Sequence, residues 1–445
     1  MGEAAKISLK AIGKQDSYLL SKDPEESFFN IKSNKVHSNF RKYQRSRNVI
    51  NNGTVANWPF GQIVKVQFNP QNMGDLLSNM YLSITMPGLS DGNYADQLGR
   101  HILKSITMRV DDIEVEKIYD DWGIIYDELY LEISEKVANR FLINRSLGYD
   151  EATNNDSVAQ YASDLVIPLQ LFFTRKYASD EYSTNQPNRP YFPVCSIYKQ
   201  KIEFELEFHK QTFFTDTTDV VELPSFNLIT EEITVSAEER SFLATQRQVF
   251  TTDIVRKHPS IISEVGLDTI VNNLVPNIPV KCIHWFLRNT KFENEDVAIG
   301  DASTEENYYC QNRFNFSSNV SFDDIQTFFD PIMDSASFFI NGTKLPNVTK
   351  TNHNYFKYLI PFQNRLARPF RNIYTYSFSM NPINVEPSGN LDFSQIQSDK
   401  TSIEVKLDTS STSLVDVVNK TYSLQMYYTG YQTYVFDKGF MSLAY

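Results

Sequence analysis

Asp120 and Asp121 stand directly before Trp122, and Asp127 and Glu128 follow in the same segment. Paired carboxylates there could supply the acid and base of glycosidic bond cleavage. The simpler expectation is a solvated helix face, with acids favoured at its N-terminus by the backbone dipole. The six histidines, His37, His101, His209, His258, His284 and His353, show no HxH, HxxxH or HExxH spacing, so there is no local metal motif. Cys195, Cys282 and Cys310 lie too far apart for a CxxC knuckle and read as small buried hydrophobes of a reducing compartment. There is no GxSxG elbow, GxxxxGKS/T loop or GxGxxG turn, and glycine is scarce at 16 residues. No catalytic residue, metal or cofactor is expected.

Two surface chemistries remain. Lys32, Lys35, Arg41, Lys42, Arg45 and Arg47, interleaved with Phe40 and Tyr43, could touch an acidic protein, an anionic lipid or nucleic acid. The plain alternative is a solvated arm or first strand. A net charge of −12 and a pI near 5.1 disfavour bulk nucleic-acid binding, which needs clustered positive charge. Eight Asn-X-Ser/Thr sequons occur, close to chance for this composition. Asn315, Asn319, Asn341 and Asn347 are the candidate glycan acceptors among them.

The elements that must position these residues are mostly strands. Ile202 to Phe208 alternates apolar and acidic residues without a break, as a half-buried strand requires. β-branched and aromatic enrichment recurs at 63–68, 81–86, 106–119, 373–380, 403–407 and 422–436. Helical spacing is convincing once, where Trp122, Ile125, Tyr126, Leu129 and Ile133 share a face. Stretches 150–164, 175–189 and 294–312 read as long polar loops. With 32 Phe, 25 Tyr and 3 Trp in 445 residues, the chain can bury two large cores. No stretch is long and apolar enough for a membrane-spanning helix, and the N-terminus lacks a secretory signal, so cytosolic synthesis is expected.

Val110-Asp111-Asp112-Ile113 and Ile340-Asn341-Gly342-Thr343 both read as strand, tight turn, strand, each followed by an aromatic helix or loop. This echo suggests a duplicated β-sandwich. The break between halves is expected near 216–228, giving an arm over 1–27, a first domain over 28–225 and a second over 226–445.

Several segments, in order, resemble the major capsid proteins of nucleocytoplasmic large DNA viruses. Gly13-Lys14-Gln15-Asp16-Ser17-Tyr18-Leu19, Ser27-Phe28-Phe29 and Ser38-Asn39-Phe40 are similar to the family's "GAQDxYLT…TFF…TNF". Tyr119-Asp120-Asp121-Trp122 with Tyr126-Asp127-Glu128-Leu129 resembles "YNDW…YDxL", 166–173 resembles "xxPLxFFF", and Glu239-Arg240 stands at an interdomain "ER". The most specific match is 373–382 with 386–396, similar to "YLYSFALxP…QPSGTCNFSRID", and 441–445 resembles "GGLAY". Glu386, Asn390, Leu391, Gln395, Met441 and Ser442 depart from that pattern.

The resemblance implies an all-β tandem double jelly roll, two eight-stranded antiparallel sandwiches with short helices and long loops. It implies a structural, non-enzymatic coat protein of the virion, whose homotrimers of pseudo-hexagonal outline tile an icosahedral shell. Its implied partners are itself, minor capsid proteins and an internal viral membrane, with no specific nucleic acid. Residues 1–27 and the basic stretch to Arg47 would face inward, and loops 150–164 and 294–312 would form the outer tower. A minor capsid or penton-region paralogue and a carbohydrate-binding sandwich are the alternative readings.

Overall fold

The computed structural model describes residues 41–48, 58–90, 94–95, 97–143, 162–175, 191–215, 217, 220–293, 295, 313–318, 330–348, 351–383, 387–393, 396, 398–408 and 421–444. The first eight strands are β1 (Arg41–Asn48), β2 (Ile63–Phe68), β3 (Leu76–Met86), β4 (Leu103–Val110), β5 (Ile113–Tyr119), β6 (Ser163–Pro168), β7 (Ile202–Phe208) and β8 (Ser225–Thr234). They pair antiparallel in the orders β1-β8-β3-β6 and β2-β7-β4-β5. Every connection except the β4–β5 hairpin crosses from one sheet to the other, which is jelly-roll topology.

The remaining strands are β9 (Gln248–Ile262), β10 (Thr269–Asn273), β11 (Pro279–Asn289), β12 (Met333–Ile340), β13 (Thr343–Leu345), β14 (Tyr374–Ser377), β15 (Leu391–Asp392), β16 (Ser402–Leu407), β17 (Tyr422–Asp437) and β18 (Phe440–Leu443). Their orders are β9-β17-β11-β14 and β10-β16-β12-β13, with β15 beside β11 and β18 beside β17. The second half therefore repeats the first strand for strand. The β4–β5 and β12–β13 hairpins occupy equivalent places. Asp111 (φ 48°) makes the first turn, and Asn341 (φ 54°) with Gly342 (φ 79°) makes the second, the left-handed conformations that tight hairpins demand.

Local patterning explains the strands with one solvated face. In β7, Ile202, Phe204, Leu206 and Phe208 enter the core, while Glu203, Glu205 and Glu207 face outward and pair with Lys65, Arg109 and Lys117. β11 is different, since from Val280 to Asn289 both of its faces are buried. Ile283, Trp285 and Leu287 lie in the second core, whereas Phe286 joins the cluster of the first. β17 also serves both, with Leu424, Met426 and Tyr428 in the second cluster and Tyr427, Tyr434 and Phe436 in the first. The sheet β9-β17-β11-β14 is thus covered twice, once by its own sandwich and once by the first half.

Four helices bear on this seam or its flanks: α1 (Leu98–Ile102), α2 (Asp120–Leu129), α3 (Ile133–Ile143) and α4 (Ala237–Thr245). One expectation needs correction. Ile133 does not continue the Trp122 face: the helix ends at Leu129, and Ile133 opens α3 with 82% of its surface exposed. The strand that begins at Ser225 hydrogen-bonds to β1 and β3 of the first sandwich. By pairing, the first half runs to Thr234. α4 follows, capped by Ser236, whose hydroxyl accepts the Glu239 amide, and anchored where Arg240 reaches Asp75 at 2.6 Å.

Candidate functional site at the seam between the sandwiches

α2 is the wedge of the seam. Its Tyr119-side end enters directly from β5, and acids at its first turn suit the positive end of the helix dipole. Trp122 packs against His284 of β11 and Tyr427 of β17, with ring centroids 5.8 and 6.2 Å away. Tyr130, about two turns further on at the helix C-cap, places its hydroxyl 2.9 Å from His284 Nε2. His284 Nδ1 meets Thr375 Oγ1 at 2.9 Å, and burial pushes its pKa down to about 3, so the ring is neutral.

The acids of α2 are not a solvated face, which corrects the sequence expectation. Asp121 is buried and takes two hydrogen bonds from Arg288, at 2.7 and 3.3 Å, and one from the Tyr427 hydroxyl at 3.2 Å. Burial opposes its charge, yet Arg288 and Lys257 hold the carboxyl below the ordinary carboxylate value. Glu128 receives Arg371 at 2.6 Å and the Phe370 amide at 2.5 Å. Asp127 is held by Arg100 of α1 at 2.8 Å. With their oxygens committed to arginines, these carboxylates are joints between elements, and none is poised as a free acid or base.

Two further clusters cross the seam. Glu116 of β5 accepts from Arg175 at 2.8 Å, from the Phe172 amide at 2.7 Å and from the Val255 amide of β9 at 3.0 Å. Arg175 also donates to the Asp253 carbonyl at 2.7 Å, and the Asp253 carboxylate holds Lys281 at 2.8 Å. Burial pushes the Glu116 carboxyl up from its usual value despite Arg175. His209 lies between Asp120 Oδ2, 2.8 Å from Nε2, and Glu295 Oε1, 3.2 Å from Nδ1. Its ring stacks on Phe213 at 3.7 Å, and Arg313 covers the other face of Phe213 at 4.3 Å. Lys104 holds Glu295 at 3.0 Å.

The His209 clasp gives a pH-dependent prediction. Burial opposes the imidazolium, but the two carboxylates raise the His209 pKa above 6.5. The histidine's contribution is therefore full below about 6.5 and is lost as pH rises through the folded value. Glu295 runs the other way: burial raises its pKa, but His209 and Lys104 outweigh it and depress the value, so its contribution is present above about 4.5 and lost on acidification. The stability gap between wild type and His209→Gln, measured by urea unfolding, should be widest between about pH 4.5 and 6.5 and narrow on either side. A gap independent of pH would exclude a charged His209.

The seam joins two jelly rolls through buried ion pairs and aromatic contacts, and comparison with known proteins places the chain. The family model for the large eukaryotic DNA virus major capsid protein matches residues 231–441, and that for the major capsid protein N-terminus matches 27–220. The chain belongs to this capsid protein family. The major capsid protein of Pyramimonas orientalis virus is 23% identical over 448 residues, covering 93% of this chain and 94% of that protein. That of Paramecium bursaria Chlorella virus 1 is 21% identical, covering 89% and 86%. Among solved structures, PBCV-1 VP54 superposes with a TM-score of 0.71 at 17% identity, over 94% of this chain and 100% of that one. The Faustovirus major capsid protein superposes at 0.61 and 11% identity, over 97% and 98%. The fold is the double jelly roll of these coat proteins, and the protein is a structural component of the virion capsid.

The surface residues singled out from sequence fare unevenly on this capsid protein. Lys42 lies 2.9 Å from Glu231 and Arg45 3.8 Å from Glu232, both acids being buried on β8, and Arg45 also donates to the Asn72 carbonyl at 2.6 Å. These two cations help fasten β1 to its sheet, and their side chains stay 56% and 43% exposed. Lys32 and Lys35, and the side chains of Arg41 and Arg47, lie outside the described residues, as do the arm over 1–27, Asn319 and most of both long loops. Asn341 and Asn347 are exposed in and beyond the β13 hairpin. Asn315 is 1% exposed with its side-chain oxygen accepting the Ser317 amide, so the folded chain has no room for a glycan there. Among the described residues, no three His, Cys, Asp or Glu side chains are grouped to hold a metal.

Proposed function

We propose that three copies of this capsid protein close into a capsomer of pseudo-hexagonal outline, and that such capsomers tile the icosahedral shell of a large DNA virus. The observation that carries this reading is the repeated strand order. Two jelly rolls of one topology, welded by a polar and aromatic seam, let three chains place six similar units around one axis. Contacts in such a ring are heterologous, each chain offering two different surfaces. The division we assign to the chain is an arm over 1–27, a first jelly roll ending at Thr234 and a second beginning at Gln248, with α4 between them.

Lys32, Lys35, Arg41, Lys42, Arg45 and Arg47 are the candidate contact to minor capsid proteins or to an anionic membrane surface beneath the shell. Asn341 and Asn347 remain as candidate glycan acceptors. Light scattering on the purified chain should give a mass near three times 51.4 kDa, with hexagonal outlines in negative stain. A stable monomer would remove the capsomer reading. Copy number per particle then separates a principal shell protein from a minor or penton-region paralogue.

A further inference from the structure

We propose that the helical segment 355–363 of one copy seats on the outer face of sheet β1-β8-β3-β6 in the next copy, repeating between chains the seam found within each chain. The proposal rests on the capsomer reading above and names the surfaces that would close the ring.

The template is internal. Within the chain, the β5–β6 connection carries α2 onto the outer face of β9-β17-β11-β14, with Trp122 on His284 and Tyr427. Because the second half repeats the strand order of the first, the counterpart of that connection is the one between β13 and β14. It too holds a helical segment, Tyr355–Leu359 continued by Ile360–Gln363. Phe356 and Ile360 anchor this segment in the second half. Among the described residues its outer side has nothing comparable to bury against, since Phe362 is 81% and Leu359 42% exposed. Lone exposed apolar residues are ordinary, but these two stand where the first half places its seam wedge.

The counterpart of the receiving face is also open. On the central strands, Tyr81 lies opposite Ile229 and Ser83 opposite Asn227, all four half-buried and uncharged. The outer face of the other sheet carries Glu203, Glu205 and Glu207 in ion pairs with lysine and arginine. Charge is sparse around the four positions on β3 and β8, with the Lys42–Glu231 pair two residues along β8 from Ile229; uncharged ground suits an interface core, whereas a mesh of ion pairs suits contact with water. One end of the chain thus offers a wedge without a face and the other a face without a wedge, as a closing heterologous ring requires.

The test compares wild type with Phe362→Glu and, separately, Ile229→Glu, by light scattering and thermal melting. Each variant should fall from three chains to one, and the Phe362→Glu chain should melt as a wild-type monomer does, because the side chain is exposed. Trimers that persist in both variants overturn the proposal. A wild type that is itself monomeric overturns the capsomer reading, and this contact with it. Hydroxyl-radical labelling of unmodified capsomers supplies a check that does not depend on how the variants fold. Phe362 and Tyr81 should be protected in the trimer and labelled in dissociated chains. Protection of Tyr81 already in dissociated chains would mean that the chain's own residues 1–40 cover this face, and would overturn the proposal.

Discussion

Replacing Arg175 with methionine should cost roughly 3–5 kcal/mol of unfolding free energy, since removing one partner of a buried ion pair strands the other. Methionine preserves most of the length and apolar bulk, so the loss reports charge and hydrogen bonding rather than a cavity. Arg175 serves three groups at once: the Glu116 carboxylate, the Gln170 carbonyl and the Asp253 carbonyl. Without it, Glu116 keeps only two backbone amides, from Phe172 and Val255, and sits fully buried with its charge unmatched. The carboxyl would then take up a proton. Burial already pushes its pKa up in the native protein, and loss of Arg175 pushes it further. A group whose folded pKa is raised binds more protons folded than unfolded, so the variant's stability falls as pH rises. The deficit against wild type, measured by urea midpoints, should therefore shrink from pH 7 to pH 5. An equal deficit at both values would mean that Glu116 stays charged, and a deficit under about 1 kcal/mol would place the pair among ordinary surface bridges.

Strands with one wet face were readable because alternation reports a single buried side. β2 and β7 coincide with their expected ranges, and the two equivalent hairpins were visible through Asp111 and through Asn341-Gly342. β11 was not legible, because a strand buried on both faces loses its period of two. Its run Cys282-Ile283-His284-Trp285-Phe286 mixes residues aimed at two different cores. Pro224 and the polar run before it mark a loop, while membership of a sheet depends on partners that no local signal names. In β8 those partners are β1 and β3.

The seam was half legible. The Trp122 face announced a buried helix, but acids on the same helix read as solvated, because their partners Arg288 and Arg371 lie far along the chain in the other half. One signal was available in principle: Arg288 closes a strand otherwise apolar from Cys282, and a buried guanidinium demands an anion. The basic stretch was legible as a first strand carrying exposed cations, but the buried Glu231 and Glu232 beneath Lys42 and Arg45 were not. Asn315 shows that a sequon says nothing of burial.

Trp122→Ala should be the most disruptive single truncation for assembly. Deleting a fully buried tryptophan costs about 3–5 kcal/mol through lost transfer energy and the cavity left behind. Here the cavity opens among Tyr130, His284 and Tyr427, where the first core cluster meets the sheet of the second half. Each jelly roll keeps its own core, so calorimetry should show one cooperative transition splitting into two, with the lower one shifted most. If chains close into the proposed ring of six units, assembly should fail at lower temperature than either sandwich unfolds, because that ring would depend on the angle between the two halves of each chain, at whose seam α2 sits. Capsomer mass followed during heating separates the possibilities: loss of trimer before the first transition supports control through the seam. Loss coincident with the unfolding of a sandwich would mean that Trp122 acts only on stability, and the seam would then carry no part of the geometry that closes the ring.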